Sequence, residues 1–265
     1  AWWVAPVAYF IGVAAVIVSG ILLKKLKAFS GDPAPFVMEL PAYHIPSMKN
    51  VLTSTWDRGW SFIKRAGTVI LLSAIVLWFL QGFGMVDGRL TMVADNNTSL
   101  LAAVGSYAAP IFAPLGFGSW KATVATFTGL IAKENVVNTF GVLYGFVEVA
   151  EDGMEVWSKL ALDYTALSAW SFMLFNLLCA PCFAAMGAIK TEMNSAKWTW
   201  AAIGYMCGFA YGVSLIVCQL GMWFSGNGFT AATGAALAVL AGFIYLVVRK
   251  NPHQQEFKKG VEVTC

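Results

Sequence analysis

The sequence predicts an all-α protein, a polytopic helical membrane protein of about seven spans with broken or re-entrant segments and one cytoplasmic interfacial amphipathic helix. Three observations point there. The 265 residues are 58% hydrophobic and only 12% charged, with a mean hydropathy of +0.68, which is membrane composition. Several apolar runs reach the roughly 20 residues that a helix needs to cross hydrocarbon. Alternating strand patterns of barrel length are absent, so helices must satisfy the backbone. Five cysteines, Cys179, Cys182, Cys207, Cys218 and Cys265, make an odd set sited mostly in apolar runs, which is no secreted disulfide framework. The chain opens at Ala1 inside an apolar run, AWWVAPVAYFIG, and is expected to be a piece of something longer.

In chain order, the expected spans are Trp2 to Leu23, Ala66 to Phe83, Leu100 to Phe117, Trp120 to Phe146, Tyr164 to Ile189, Trp198 to Leu220 and Ala231 to Val248. The third carries Pro110 and Pro114 and has a half-helix or re-entrant segment as its alternative. If the first span delivers Lys24, Lys25 and Lys27 to the cytoplasm and the rest alternate, the charges sort. Only Arg89 and Lys159 fall outside, Lys133 falls within the membrane, and the remaining basic residues, Lys121 among them, fall inside. The outer loops hold Asp87, Asp95, Glu148, Glu151, Asp152, Glu155 and Asp163, a mildly cation-attracting face or an ordinary solvated one. Residues 1–248 are expected to form the membrane domain, with 49–65 its interfacial helix, and 249–265 a cytoplasmic tail.

Within 49–65, Leu52, Trp56, Trp60 and Ile63 recur on one helical side and Ser54, Arg58, Ser61 and Arg65 on the other, as expected of a helix lying at the headgroups. Pro41 and Pro46 bracket an extended or turning lead-in containing His44, which has the chemistry of a ligand or proton carrier, although a lone interfacial histidine is more often neither.

The chemistry concentrates in LIAKENVVNTFG, Leu130 to Gly141. A charge at mid-bilayer depth costs ~2.5 to 3.5 kcal/mol on insertion scales, so Lys133 and Glu134 must face protein or water. Successive helical residues diverge by about 100°, so each needs its own partner, or the helix is interrupted between them. Asn135, Asn138 and Thr139 continue the polar sector. In the next span, Pro181 disfavours helix at Ala180, which predicts a break between Cys179 and Cys182 that frees carbonyls near Asn176. Cysteine sulfur together with a glutamate oxygen suits a borderline divalent metal, with Cys182, Cys179 and Glu134 as candidate ligands and Lys133, Asn135, Asn138 and Asn176 as polar support. The bland alternative is that the cysteines are small apolar core residues and the charges pin helix packing.

MELPAYHIPS, the run from Trp56 to Ile70, GLIAKENVV and APCFAAMGAIKTE together resemble the C-terminal half of the membrane domain of FeoB-type ferrous-iron transporters. The resemblance implies Fe²⁺ as the transported substrate, a bacterial inner membrane and two inverted gate-like repeats, of which only the second, in the region 119–190, is represented here; the charge sorting adds a cytoplasmic C-terminus. It carries the gate cysteine over to Cys182 and the A-K-E motif to Ala132, Lys133 and Glu134; Cys179 is outside the family pattern. It further implies GTP and Mg²⁺ handled by an N-terminal GTPase domain, which this sequence lacks: no G-x-x-x-x-G-K-[ST] occurs. Besides lipid and that domain, small cytoplasmic accessory Feo proteins and a homo-oligomer are the expected partners, and no nucleic acid. The rival readings are a gate-fold transporter of an organic solute such as a nucleoside, and a non-transporting membrane scaffold. Catalysis at a histidine-bound zinc or haem is not expected from two histidines, His44 and His253, both outside the apolar spans.

Overall fold

The computed structural model describes residues 3–26, 47–86, 89–93, 96–131, 133, 135–144 and 154–249. The lead-in with His44, the outer-loop acids from Asp87 to Asp152, Ala132, Glu134 and the tail with Cys265 therefore lie outside the described residues. The chain divides into two compact units, residues 1–63 with 238–265 and residues 64–237.

In the first unit, α1 (Val4–Lys24) is apolar all round, and Leu22 is its one buried residue among those described. Tyr9, Phe10, Val16 and Ile17 project outward, the surface of a helix whose solvent is lipid. Its last turn closes with the Lys25 backbone N–H on the Leu22 and Leu23 carbonyls. The Lys25 ammonium donates to the Val247 carbonyl, tying the end of α1 to the end of α10 (Ala231–Val248). Residues 49–65 are helical as expected, but they are not a separate helix. They form the first half of α2 (Met48–Gly82), one helix of 35 residues. At roughly 1.5 Å per residue it is about 52 Å long, well beyond a hydrocarbon core of ~30 Å, so its polar half has length to spare. Trp56 and Trp60 stack one turn apart at 6.2 Å, both largely exposed. By length and composition α1, α9 (Ala196–Phe224) and α10 can each cross a membrane alone.

In the second unit, the second half of α2 leads into an element that the hydropathy pattern does not announce, an antiparallel β-hairpin of β1 (Phe83–Val86) and β2 (Arg89–Met92). An Asp87-Gly88 pair between two short apolar runs is its sequence signal. Ser99 caps α3 (Leu100–Phe112) by accepting from the Ala102 N–H at 3.1 Å. Pro110 and Pro114 then hurry the helix into a 3₁₀ turn at Ala113–Leu115, which ends on Gly116 at φ 83°. Gly116 is doubly required there, because a Cβ would stand 2.6 Å from the Cys218 Sγ.

Ser119 caps α4 (Trp120–Gly129), which turns away from α3 by 94°. Gly105 of α3 lets the two helices meet closely, against Trp120 and Val124. The short α4 is largely enclosed: Ala122, Thr123 and Ala125 have no exposed surface. Its buried threonines satisfy themselves on the preceding turn, Thr123 on the Ser119 carbonyl and Thr126 on that of Ala122, both at 2.9 Å.

The expected fourth span, Trp120 to Phe146, is not one continuous helix. Beyond the end of α4 at Gly129 the chain returns as α5 (Asn135–Leu143), and the two helices lie side by side as a hairpin. Thr128 and Thr139 join them near the tip through a 2.8 Å hydroxyl pair. At the base, the Lys121 ammonium sits over the Tyr144 ring, 4.0 Å from its centroid. Lys121 and Tyr144, expected on opposite sides of the membrane, are neighbours. Ser119 and Tyr164 likewise share a hydrogen bond of 3.1 Å.

Beyond α6 (Met154–Asp163), α7 (Ala166–Leu178) is capped by Thr165. It runs antiparallel to α9, with Leu167 against Gly221 and buried Ser171 bonded to Ser214. α8 (Phe183–Met193) follows the break at 179–182 and leads into α9 through Asn194, whose left-handed φ of 45° turns the chain. Phe112, Leu115, Phe117, Ala122, Phe175, Cys179 and Ala210 form the core where these elements meet. Gln219, nearly buried, donates to the Pro114 carbonyl and accepts from Thr230 and Thr233, so both ends of its amide are used.

Candidate substrate path at two chain breaks

Two interruptions of helix dominate the second unit, and they touch. α7 stops where Pro181 dictates: Cys179 adopts ψ 175° and leaves the helical path, its N–H making the last bond, to the Phe175 carbonyl. The carbonyls of the final turn then have no partner in their own helix. The Lys133 ammonium, from the tip of the α4–α5 hairpin, supplies one, donating to the Asn176 carbonyl at 2.6 Å and the Leu177 carbonyl at 3.2 Å. The main chains also join, through the Phe183 N–H on the Leu130 carbonyl at 2.9 Å. Gly129 makes this approach possible, because a Cβ there would stand 2.8 Å from the Val136 Cγ2 and 3.4 Å from the Asn176 Oδ1.

The cost of placing Lys133 in apolar sequence thus has a physical answer. A helix C-terminus carries partial negative charge, worth ~0.3 to 1 kcal/mol to a nearby cation, and two charge-assisted hydrogen bonds add to it. Lys133 is a cap for a helix that is remote in sequence.

The other predicted residues separate. Asn176 sends its side-chain amide back to the Phe172 carbonyl at 2.9 Å, so the backbone and not the side chain of Asn176 meets Lys133. Cys179 is buried in the aromatic core, with its thiol directed at the Asn176 and Ala180 carbonyls at 3.5 and 3.6 Å. Cys182 is half-buried at the N-terminus of α8 and makes no capping bond. Asn135 is half-buried and Asn138 exposed, on successive turns of α5. Among the described residues no group of three or more His, Cys, Asp or Glu is gathered as a metal site; Glu134 lies outside them.

Sequence reasoning misses the groups that hold the hairpin shut. Tyr144 donates its hydroxyl to Asp163 and takes the Lys159 ammonium on its carbonyl at 3.0 Å, so the hairpin base is a small polar cluster. Its only sequence signal is the spacing of aromatic and charged residues at two predicted membrane edges.

Comparison with known proteins gives a consistent result. Residues 5–58 match the family described as ferrous iron transport protein B C terminus, and residues 63–196, half of the chain, match the Gate family described as nucleoside recognition. The Fe(2+) transporter FeoB of Methanocaldococcus jannaschii is 36% identical over 220 residues, covering 80% of this chain and 31% of that protein. FeoB of Staphylococcus aureus strain COL is 35% identical over 222 residues, with 82% and 31% covered. FeoB of Escherichia coli K12 is 30% identical over 262 residues, with 80% and 33% covered. The chain spans about a third of the length of these relatives. No solved structure matches. The chain belongs to the Gate family, and it corresponds to the C-terminal membrane part of FeoB-type ferrous-iron transport proteins.

Proposed function

We propose that this chain forms part of a path for Fe²⁺ across a bacterial cytoplasmic membrane, working inside a longer FeoB-like permease. The observation that carries the reading is the meeting of two helix breaks, the Lys133 tip on the end of α7, since interrupted helices with free backbone groups are where transporters handle ions. The names of the relatives supply the ion. Cys182, with Cys179 and Glu134, serves as a set of transient ligands; sulfur and carboxylate donors hold a borderline divalent cation loosely enough to release it. Asn135 and Asn138 line the hairpin side of the path, and residues 49–65 rest at the cytoplasmic headgroups. GTP and Mg²⁺ act through a GTPase domain that the rest of such a protein supplies, with small accessory Feo proteins and further copies of the chain as partners; the C-terminus is cytoplasmic.

Fe²⁺ uptake into vesicles bearing the full-length protein tests this. Cys182→Ser and Glu134→Gln are expected to cut the flux at least about tenfold, equivalent to ~1.4 kcal/mol on the rate-limiting barrier. Wild-type flux in both variants would remove the site assignment. Competition of uptake by nucleosides would favour an organic-solute path instead.

A further inference from the structure

The bond between Lys133 and α7 also describes an ion site. The Asn176 carbonyl oxygen is shared: it accepts from the Lys133 ammonium at 2.6 Å and from the Cys179 thiol at 3.5 Å. The Leu177 carbonyl lies on the same ammonium at 3.2 Å. Two carbonyl oxygens therefore meet one positive charge at the negative end of a half-helix, with a sulfur bonded to one of those oxygens, the arrangement by which interrupted helices hold cations. The ammonium is carried on a flexible stem from the tip of a hairpin, on a different element from the groups that bind it.

The geometry points to Lys133 as a tethered stand-in for the permeating ion: its ammonium occupies a divalent-cation site formed by the Asn176 and Leu177 carbonyls and the Cys179 sulfur, and ion and ammonium exclude one another. This deepens, and rests on, the transport reading. The donor set of two hard oxygens and one soft sulfur selects a borderline transition-metal dication over Na⁺ or Mg²⁺. When such an ion enters, the Cys179 thiol gives its proton to water as sulfur binds the metal, and Lys133 swings clear. When the ion leaves, the thiolate takes a proton back from water, and the ammonium returns to keep the half-helix end from standing uncompensated in the membrane. The device empties the site without leaving a vacancy of charge.

The test uses Co²⁺ as probe, on the full-length protein in lipid nanodiscs, with the near-ultraviolet sulfur-to-cobalt charge-transfer band as readout. Lys133→Met should bind Co²⁺ about tenfold more tightly than wild type, as expected when a site has been open only about a tenth of the time. Lys133→Arg, which keeps a cation on the carbonyls, should stay near wild type. Adding Cys179→Ser to Lys133→Met should remove the gain in the band that Lys133→Met brings. A helical, monodisperse Lys133→Met protein that binds Co²⁺ no better than wild type overturns the proposal. Wild-type protein gives a second measurement that needs no variant to fold: Co²⁺ should raise modification of Lys133 by an amine-acylating reagent, read by mass spectrometry, and unchanged modification overturns it equally. Fe²⁺ flux separates the two readings. Absence of flux with Co²⁺ and Lys133 still in competition would sink transport alone, whereas normal flux without that competition would sink only the stand-in.

Discussion

The two helix breaks of the second unit are made in opposite ways. Between α7 and α8 the main chain itself forbids helix, because Pro181 lacks an N–H and disfavours helix at Ala180, and the chain is extended at Cys179. That break leaves carbonyls unmet and relies on another element to meet them. Between α4 and α5 there is no proline; the chain reverses, and side chains hold the two arms together, Thr128 on Thr139 near the tip and Lys121 on Tyr144 at the base. A break imposed by the backbone exports a need, and a break held by side chains is free to answer it.

This contrast can be broken by experiment, starting where the two regions are closest. Gly129→Val puts atoms where the Val136 and Asn176 side chains already stand and should destabilise the protein by ~1 to 3 kcal/mol, the usual cost of overpacking, read as a lower midpoint of thermal unfolding in detergent. Unchanged stability would mean that the breaks do not press on each other. A double-mutant cycle of Thr128→Val and Thr139→Val should give a coupling of about 1 kcal/mol, since valine keeps the shape and removes the hydroxyl pair; zero coupling would free the hairpin arms from one another. Lys121→Gln should cost the least, ~0.5 to 1 kcal/mol for a cation over an aromatic face near the surface. In a Tyr144→Leu background the same Lys121→Gln change should cost nothing further, if the ring is what the ammonium senses.

How much of this is legible in the sequence differs between the same two regions. The α7–α8 break can be read because proline acts locally, and the need for an interruption or separate partners at Lys133 and Glu134 follows from the 100° step of a helix. The return of α5 alongside α4 cannot be read. The apolar stretch from Trp120 to Phe146 has the length and hydropathy of a crossing, and nothing local distinguishes going through from turning back. The charge pattern does not expose the error either. Between Arg89 and Lys133 it has a single basic residue, Lys121, to sort. Asn176 shows the remaining limit: its position in the sequence marks the right place, yet its backbone oxygen, which every residue possesses, is the group Lys133 meets.

The bond from the Phe183 N–H to the Leu130 carbonyl has a consequence for the history of such a site. It joins main-chain atoms, so no exchange of one non-proline side chain for another at either position deletes it. The junction is inherited as a route of the chain and not as a spelling of it. Two homologues can drift apart at both residues and keep the same knot, and the chemist's way to cut it is to replace a single amide with an ester.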